Sequence, residues 1–237
     1  MKACVIMALV ACSLLLSGCV FVKIKDDGSG SSKGERVAGN GVITEKTFDV
    51  ASFSNIKLSV PADVTFETAP DCAVTVKMDE NLFEYLTVDV VNGVLKIGST
   101  SPSFRKFKKL AMTITAPGLA YLECNGAVDF EALDGIRGED FKMVVNGAAD
   151  VQIAELDAKN VSFEVNGTGD IDVDLVDADK VSLQISGAGD AKLSGKTEAV
   201  KVQVNGTGDV DLTRLDYVSL DKRINGVGSV KTGKSRL

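Results

Sequence analysis

Asn166-Gly167-Thr168-Gly169-Asp170 is one of six copies of a five-residue signature. The others are Asn125-Gly126-Ala127-Val128-Asp129, Asn146-Gly147-Ala148-Ala149-Asp150, Ser186-Gly187-Ala188-Gly189-Asp190, Asn205-Gly206-Thr207-Gly208-Asp209 and Asn225-Gly226-Val227-Gly228-Ser229. The leading glycines stand at 126, 147, 167, 187, 206 and 226, in steps of 21, 20, 20, 19 and 20. A fixed period of this length marks a solenoid, whose units are stable only when stacked on their neighbours.

One unit runs from Val161 to Lys180. Val161, Phe163 and Val165 alternate with Ser162 and Glu164, the period-two pattern of a half-buried strand. The pentapeptide interrupts this with residues that accept positive φ or bond their own backbone. Alternation resumes at Ile171, Val173 and Leu175. Phe141, Met143 and Val145, then Val181, Leu183 and Ile185, then Val200, Val202 and Val204 repeat the first strand. Two short strands per 20 residues could form a meander of hairpins, as in a β-sandwich or roll, with Asn-Gly as the tight turn. A coil explains the repetition better, because it stacks like residue on like at about 4.8 Å. The expected fold is all-β: a parallel β-helix of about 20 residues per coil, with degenerate N-terminal coils.

Met1-Lys2 precedes an apolar run from Ala3 to Leu16, then Ser17-Gly18-Cys19. A basic start, a short hydrophobic stretch and small residues before a cut site describe a secretory signal peptide. The run is too short for a comfortable transmembrane helix. Leu16-Ser17-Gly18-Cys19 resembles the bacterial lipobox, which implies that residues 1–18 are removed and that Cys19 is acylated with chains such as palmitate. Val20 stands where an Asp would resemble an inner-membrane retention signal, so the expected location is the outer membrane, on its periplasmic or surface face. Residues 19–39 form a tether, with the flexible composition Gly-Ser-Gly-Ser-Ser-Lys-Gly at 28–34. Residues 40–237 form the solenoid domain, readable as two sub-halves, 40–109 and 110–237.

The formal net charge is −7, and loss of residues 1–18 takes only the charge of Lys2 with it. This disfavours nucleic acid and anionic lipid surfaces as partners. The absence of His removes Ser-His-Asp and Cys-His chemistry and the commonest metal ligand. The absence of Trp weakens the case for a sugar-stacking cleft. Cys72 and Cys124 both fall on core parity and read as small buried hydrophobes, with a disulfide as the alternative in an oxidising envelope.

Phe53-Ser-Asn-Ile56 opens a degenerate first coil that runs to Phe66. Asp79-Glu-Asn-Leu-Phe-Glu-Tyr-Leu86 and Asn92-Gly-Val-Leu-Lys-Ile97 follow, the second with a hairpin turn at Asn92-Gly93. Residues 99–109 form an irregular, basic excursion. Together with the repeated Asn/Ser-Gly turns, these elements resemble the GIN-domain putative adhesin-head family, over about Gly41 to Gly228. The resemblance implies a single-stranded, right-handed β-helix on a bacterial envelope lipoprotein. Most turns here use Asn-Gly where that family usually has Ser-Gly, and Val128 and Ala149 replace a usual Gly.

Two columns are the candidate site. Asp129, Asp150, Asp170, Asp190 and Asp209 should align, one per coil, and neighbours about 4.8 Å apart repel by about 0.9 kcal/mol in water. Each carboxylate is expected to cap the N–H groups of its own turn. The alternative is a cation, and carboxylates with turn carbonyls suit Ca²⁺. Asn125, Asn146, Asn166, Asn205 and Asn225 should form an amide ladder. No catalytic residue and no metal ligand is assigned, and no cofactor beyond the Ca²⁺ alternative. The expected function is a non-catalytic, lipid-anchored adhesin-like or scaffold module with an unidentified protein or glycan ligand. A homo-oligomer is compatible with this reading. A β-helix lyase or hydrolase working through Asp pairs is the competing reading.

Overall fold

The computed structural model describes residues 37–101, 104–105, 110–233 and 235. The signal segment 1–18, Cys19, most of the 19–39 tether and most of the basic excursion lie outside them. The described residues fall in one compact unit, a β-solenoid of about six turns in parallel register. Ala148–Val165 and Thr168–Ile185 are each nearly a whole coil, and they pair along their length with an offset of 20 residues, Val151 on Ile171 and Phe163 on Leu183.

The uneven steps of the repeat have local causes. The 21-residue step holds an extra residue at the turn Leu133-Asp134-Gly135, where Gly135 has φ 80. The pairing offset changes across it, from Ala132↔Ile153 to Ile136↔Leu156. The 19-residue step drops a residue between Leu193 and Gly195, opposite Val173 to Val176. The shortened strand passes tightly under Val176, and Gly195 takes φ 115 there. Between Lys192 and Ser194 the next coil recovers the register.

The alternating apolar residues face inward and stack in columns. Ile56, Leu122, Met143, Phe163, Leu183 and Val202 form one, and Leu58, Cys124, Val145, Val165, Ile185 and Val204 form another. All twelve are buried. The Phe163 ring packs edge-on against Phe141 with centroids 6.0 Å apart. Cys124 is a member of this core, and burial pushes its thiol up to about 12. Cys72 is half-buried, and both cysteines are free thiols.

The early coils depart from the chain order that the sequence suggests. The strands at Asn55–Leu58 and Ala62–Thr68 do not lie at the end of the solenoid. They sit between Val94–Ser99 and Ala111–Ala116 on one side and Tyr121–Cys124 and Ala127–Ala132 on the other. The coil expected to be first is therefore spatially second. The chain makes this coil, leaves it, lays the next coil on its outer side, and returns through Pro117-Gly118 to stack on its inner side.

Antiparallel strands close the outer end. Leu86–Val91 pairs with Val94–Ser99 through a two-residue turn at Asn92 (φ 54) and Gly93 (φ 74), and Ile43–Asp49 pairs with Ala73–Asp79. A polar clasp locks this end. Asp79 is fully buried and accepts from the Gly41 N–H at 2.6 Å. Asn81 accepts from the Asn40 N–H at 2.9 Å and donates to the Ala38 carbonyl at 2.8 Å. A Cβ on Gly39 would fall 2.6 Å from the Asp79 carboxyl, so a larger residue here would have to displace that buried side chain.

Phe163→Ala should cost about 3–5 kcal/mol in denaturant unfolding, with the loss shared by the coils that hold Met143 and Leu183. A cost under about 1 kcal/mol would contradict the stacked core.

Candidate functional site

The second strand of each coil places alternate side chains on one outer face, where two rows run along the axis. One row is Asp63, Asp129, Asp150, Asp170, Asp190 and Asp209; the other is Thr65, Glu131, Gln152, Asp172, Lys192 and Asp211. Between and beside them lies a groove of about 690 Å³, from Asp129 and Glu131 to Asp211 and Lys231. A second concavity of about 400 Å³ continues it past Asp63 to Thr75 and Lys77, sharing Asp129 and Glu131. Lys192 reaches back to Asp172 at 2.9 Å.

The structure brings the five predicted aspartates into one exposed column, but they do not cap their own turns. The Asp190 N–H donates to Asp170 Oδ1 at 2.9 Å, and the Asp209 N–H donates to Asp190 Oδ1 at 2.7 Å. Ser229 ends the column, and both its N–H (2.7 Å) and its hydroxyl (2.8 Å) donate to Asp209 Oδ1. Each of these carboxylates holds the coil that follows it.

The second glycine of the signature explains this. Where it is Val128 or Ala149, the ladder runs unbroken through the turn, Val128 on Ala149 and Ala149 on Gly169. From Gly169 onward the ladder is interrupted. It touches at Thr168↔Ala188 and Ala188↔Thr207, and resumes only at Ile171↔Ala191 and Ala191↔Val210. Gly189 and Gly228 take φ 157 and φ 152, and a Cβ on either would overlap the carbonyl of the glycine one coil earlier. The N–H that follows is left outside the ladder and must find another acceptor. The carboxylate one coil earlier is in reach. Hydrogen bonds from the Ser229 hydroxyl and then its N–H hold the Asp209 carboxyl below the usual carboxylate range. The Thr213 hydroxyl and N–H do the same for Asp211.

The asparagines line a neighbouring corner. Asn146 Nδ2 donates to Asn125 Oδ1 at 2.9 Å, Asn166 to Asn146 at 3.1 Å, and Asn225 to Asn205 at 3.0 Å. Ser186 divides the row in two and accepts from Gln184 at 3.2 Å instead. Glu123 lies beneath the row and was missed by sequence reasoning. Its carboxylate accepts from Asn125 Nδ2 (2.9 Å), Lys57 Nζ (2.7 Å) and the Tyr121 hydroxyl (3.2 Å). Burial alone would raise its pKa, but these donors outweigh burial and lower it. Its only sequence signal is its place two residues before an Asn, which Glu164 shares. Among the described residues, no group of three or more His, Cys, Asp or Glu side chains is arranged to hold a metal ion.

Residues 52–174 and 162–235 match the family described as "Putative auto-transporter adhesin, head GIN domain", and the chain belongs to this family. A solved structure of a putative adhesin from Parabacteroides distasonis is similar at 21% identity and TM-score 0.76, covering 84% of this chain and 100% of its own. A putative adhesin from Bacteroides fragilis follows at 18% identity and TM-score 0.67, with 83% and 99% covered. A putative lipid binding protein from Parabacteroides distasonis has 17% identity and TM-score 0.65, with 85% and 98% covered. At such identities the likeness extends to the fold. No curated protein matches the chain.

The lowered pKa of Asp209 sets the sign of an acid response. Its bonds to Ser229 stabilise the fold fully above the unfolded carboxylate value of about 3.9 and are lost as the pH falls through the lower folded value. Thermal melts of wild type, Asp209→Asn and Asp209→Ala should show Asn close to wild type at neutral pH, because its amide oxygen still accepts, and Ala clearly lower. The gap between wild type and Ala should close below about pH 4. A gap that persists unchanged in acid would contradict the capping role.

Proposed function

We propose that this GIN-domain chain is a non-catalytic, adhesin-like binding or scaffold module of the bacterial envelope, lipid-anchored through Cys19 at the outer membrane. The observation that supports this most is the groove. Its two rows of outward side chains sit on stacked strands and recur once per coil, so it offers an extended ligand one aspartate and one further polar or charged side chain at each step. A catalytic centre needs a few unlike groups converging at one place, whereas these acidic groups recur in coil after coil. The family name and the names of the similar structures point the same way, toward adhesion at the cell surface. The ligand expected is a protein segment or a glycan, held by hydrogen bonds and charge along the groove.

The test combines anchoring and binding. Cys19→Ser should move the protein from the membrane fraction to the soluble fraction; unchanged fractionation would sink the anchor. A glycan array and a panel of purified envelope proteins should then identify a binder. Glu131→Gln combined with Asp150→Asn should weaken that binding by about tenfold or more, with the melting temperature preserved, since neither carboxylate caps the next coil. Full binding by this variant would place the ligand surface elsewhere.

A further inference from the structure

The chain carries five Asn-Gly pairs in a single column, and Asn-Gly is the dipeptide most open to spontaneous deamidation. In that reaction the deprotonated backbone nitrogen of the glycine attacks the Asn side-chain carbonyl carbon Cγ. The new N–Cγ bond closes a five-membered succinimide, and the Cγ–Nδ2 bond breaks to release ammonia, which takes its proton from water. A second water molecule opens the ring at either carbonyl, leaving aspartate or isoaspartate. The net change is amide plus water to acid plus ammonia, without an oxidant. Glycine permits it because no side chain shields its nitrogen and its backbone rotates freely.

Two restraints oppose the reaction in a folded coil: a hydrogen bond that holds the glycine N–H, and one that fixes the Asn side-chain carbonyl. Gly147 N–H is held by the Cys124 carbonyl at 3.1 Å, Gly167 N–H by Val145 at 3.1 Å and Gly206 N–H by Ile185 at 3.3 Å. Asn146 Oδ1 is fixed by Asn166, and Asn205 Oδ1 by both Asn225 and Gln203, at 3.0 and 3.1 Å. Asn125 is half-buried, and its amide is fixed at both ends, by Asn146 and by Glu123. Asn225 differs. Its Nδ2 donates to Asn205, but among the described residues nothing donates to its Oδ1 and no carbonyl accepts from the Gly226 N–H. Asn225 and Gly226 are both exposed, whereas Gly147, Gly167 and Gly206 are half-buried.

We infer that the amide ladder protects its own Asn-Gly pairs from deamidation, and that Asn225, where both restraints are missing, is the site at which the column is modified. The product matters to the fold. An aspartate at 225 has no N–H to give to Asn205 Oδ1, so two oxygens face each other where a hydrogen bond had been. An isoaspartate also adds a backbone carbon to the turn, so the last coil loosens first. Two further pairs lie outside the column and are followed separately: Asn92-Gly93, in a hairpin turn clamped by the Val91↔Val94 pair, and Asn40-Gly41, where the Gly41 N–H donates to Asp79 and the Val42 N–H to Asn40 Oδ1.

The test is peptide mapping by mass spectrometry of the full chain, aged for weeks in mildly alkaline buffer, natively and in urea. In urea all five pairs should react at similar rates, because each Asn precedes a glycine. In the native protein Asn225 should convert about tenfold or more faster than Asn146 and Asn205, the effect expected for two lost hydrogen bonds. It should lead by a smaller factor over Asn166, where Gly167 N–H is held but, among the described residues, nothing donates to Oδ1. Asn225→Ser, which mirrors Ser186 within the column, should remove the fast phase. Equal native rates, a lead by Asn146, Asn166 or Asn205, or a fast column phase that survives Asn225→Ser would overturn the inference.

Discussion

The solenoid depends on how closely its coils approach at one corner. Where Gly126, Gly147, Gly167, Gly187, Gly206 and Gly226 stack, the carbonyl of one coil occupies the space a Cβ would need in the next. None of these six has positive φ. They are glycine because of the neighbouring coil, not because of their own backbone conformation; the positive φ that the pentapeptide was expected to accept falls instead on its second glycine, at Gly189 and Gly228. Close stacking here sets the phase for everything else. It fixes the order in which apolar residues fall into columns, and it brings side-chain amides of successive coils to hydrogen-bond distance.

The second glycine of each signature adds a different constraint. With Val128 or Ala149 the side chain enters the core and the ladder stays regular. With Gly189, Gly208 or Gly228 the ladder to the preceding coil breaks and the backbone N–H that follows turns outward. The aspartate row then changes its role from coil to coil. Asp129 and Asp150 stand free to meet a ligand, whereas Asp170, Asp190 and Asp209 are occupied in holding the next coil. Among Asp170, Asp190 and Asp209, like charges at the strand spacing are tolerated because backbone N–H donors sit between them. The proposed binding groove and the cohesion of the C-terminal coils therefore draw on the same row of carboxylates.

The period, the parallel stacking and the columns Val165-Ile185-Val204 and Phe163-Leu183-Val202 were legible in the sequence, because the pattern of one coil is copied in the next. The alignment of the aspartates followed from the same copying, but the acceptor each would serve did not. A hydrogen bond to the next coil leaves the same sequence signal as one within the turn. The interleaving of the early coils was not legible either. Nothing in Asn55–Leu58 states that Val94–Ser99 will lie on one side and Tyr121–Cys124 on the other, since parallel partners come from distant chain. The clasp of Asp79 and Asn81 onto residues 38–41 was hidden for that reason: its motif is visible, but its partners lie about 40 residues upstream.

The most direct test of the corner constraint is Gly167→Ala, measured by denaturant unfolding beside Thr168→Ala. A Cβ at Gly167 would overlap the Gly147 carbonyl and fall 2.8 Å from the Asn146 carbonyl carbon. These are backbone atoms, and they cannot rotate aside. The account predicts a loss of about 1–3 kcal/mol or more for Gly167→Ala and a change within about 0.5 kcal/mol for Thr168→Ala on the exposed side of the turn. Equal and small effects for the two substitutions would show that the coils are not packed at the corner as described, and would contradict the account at its base.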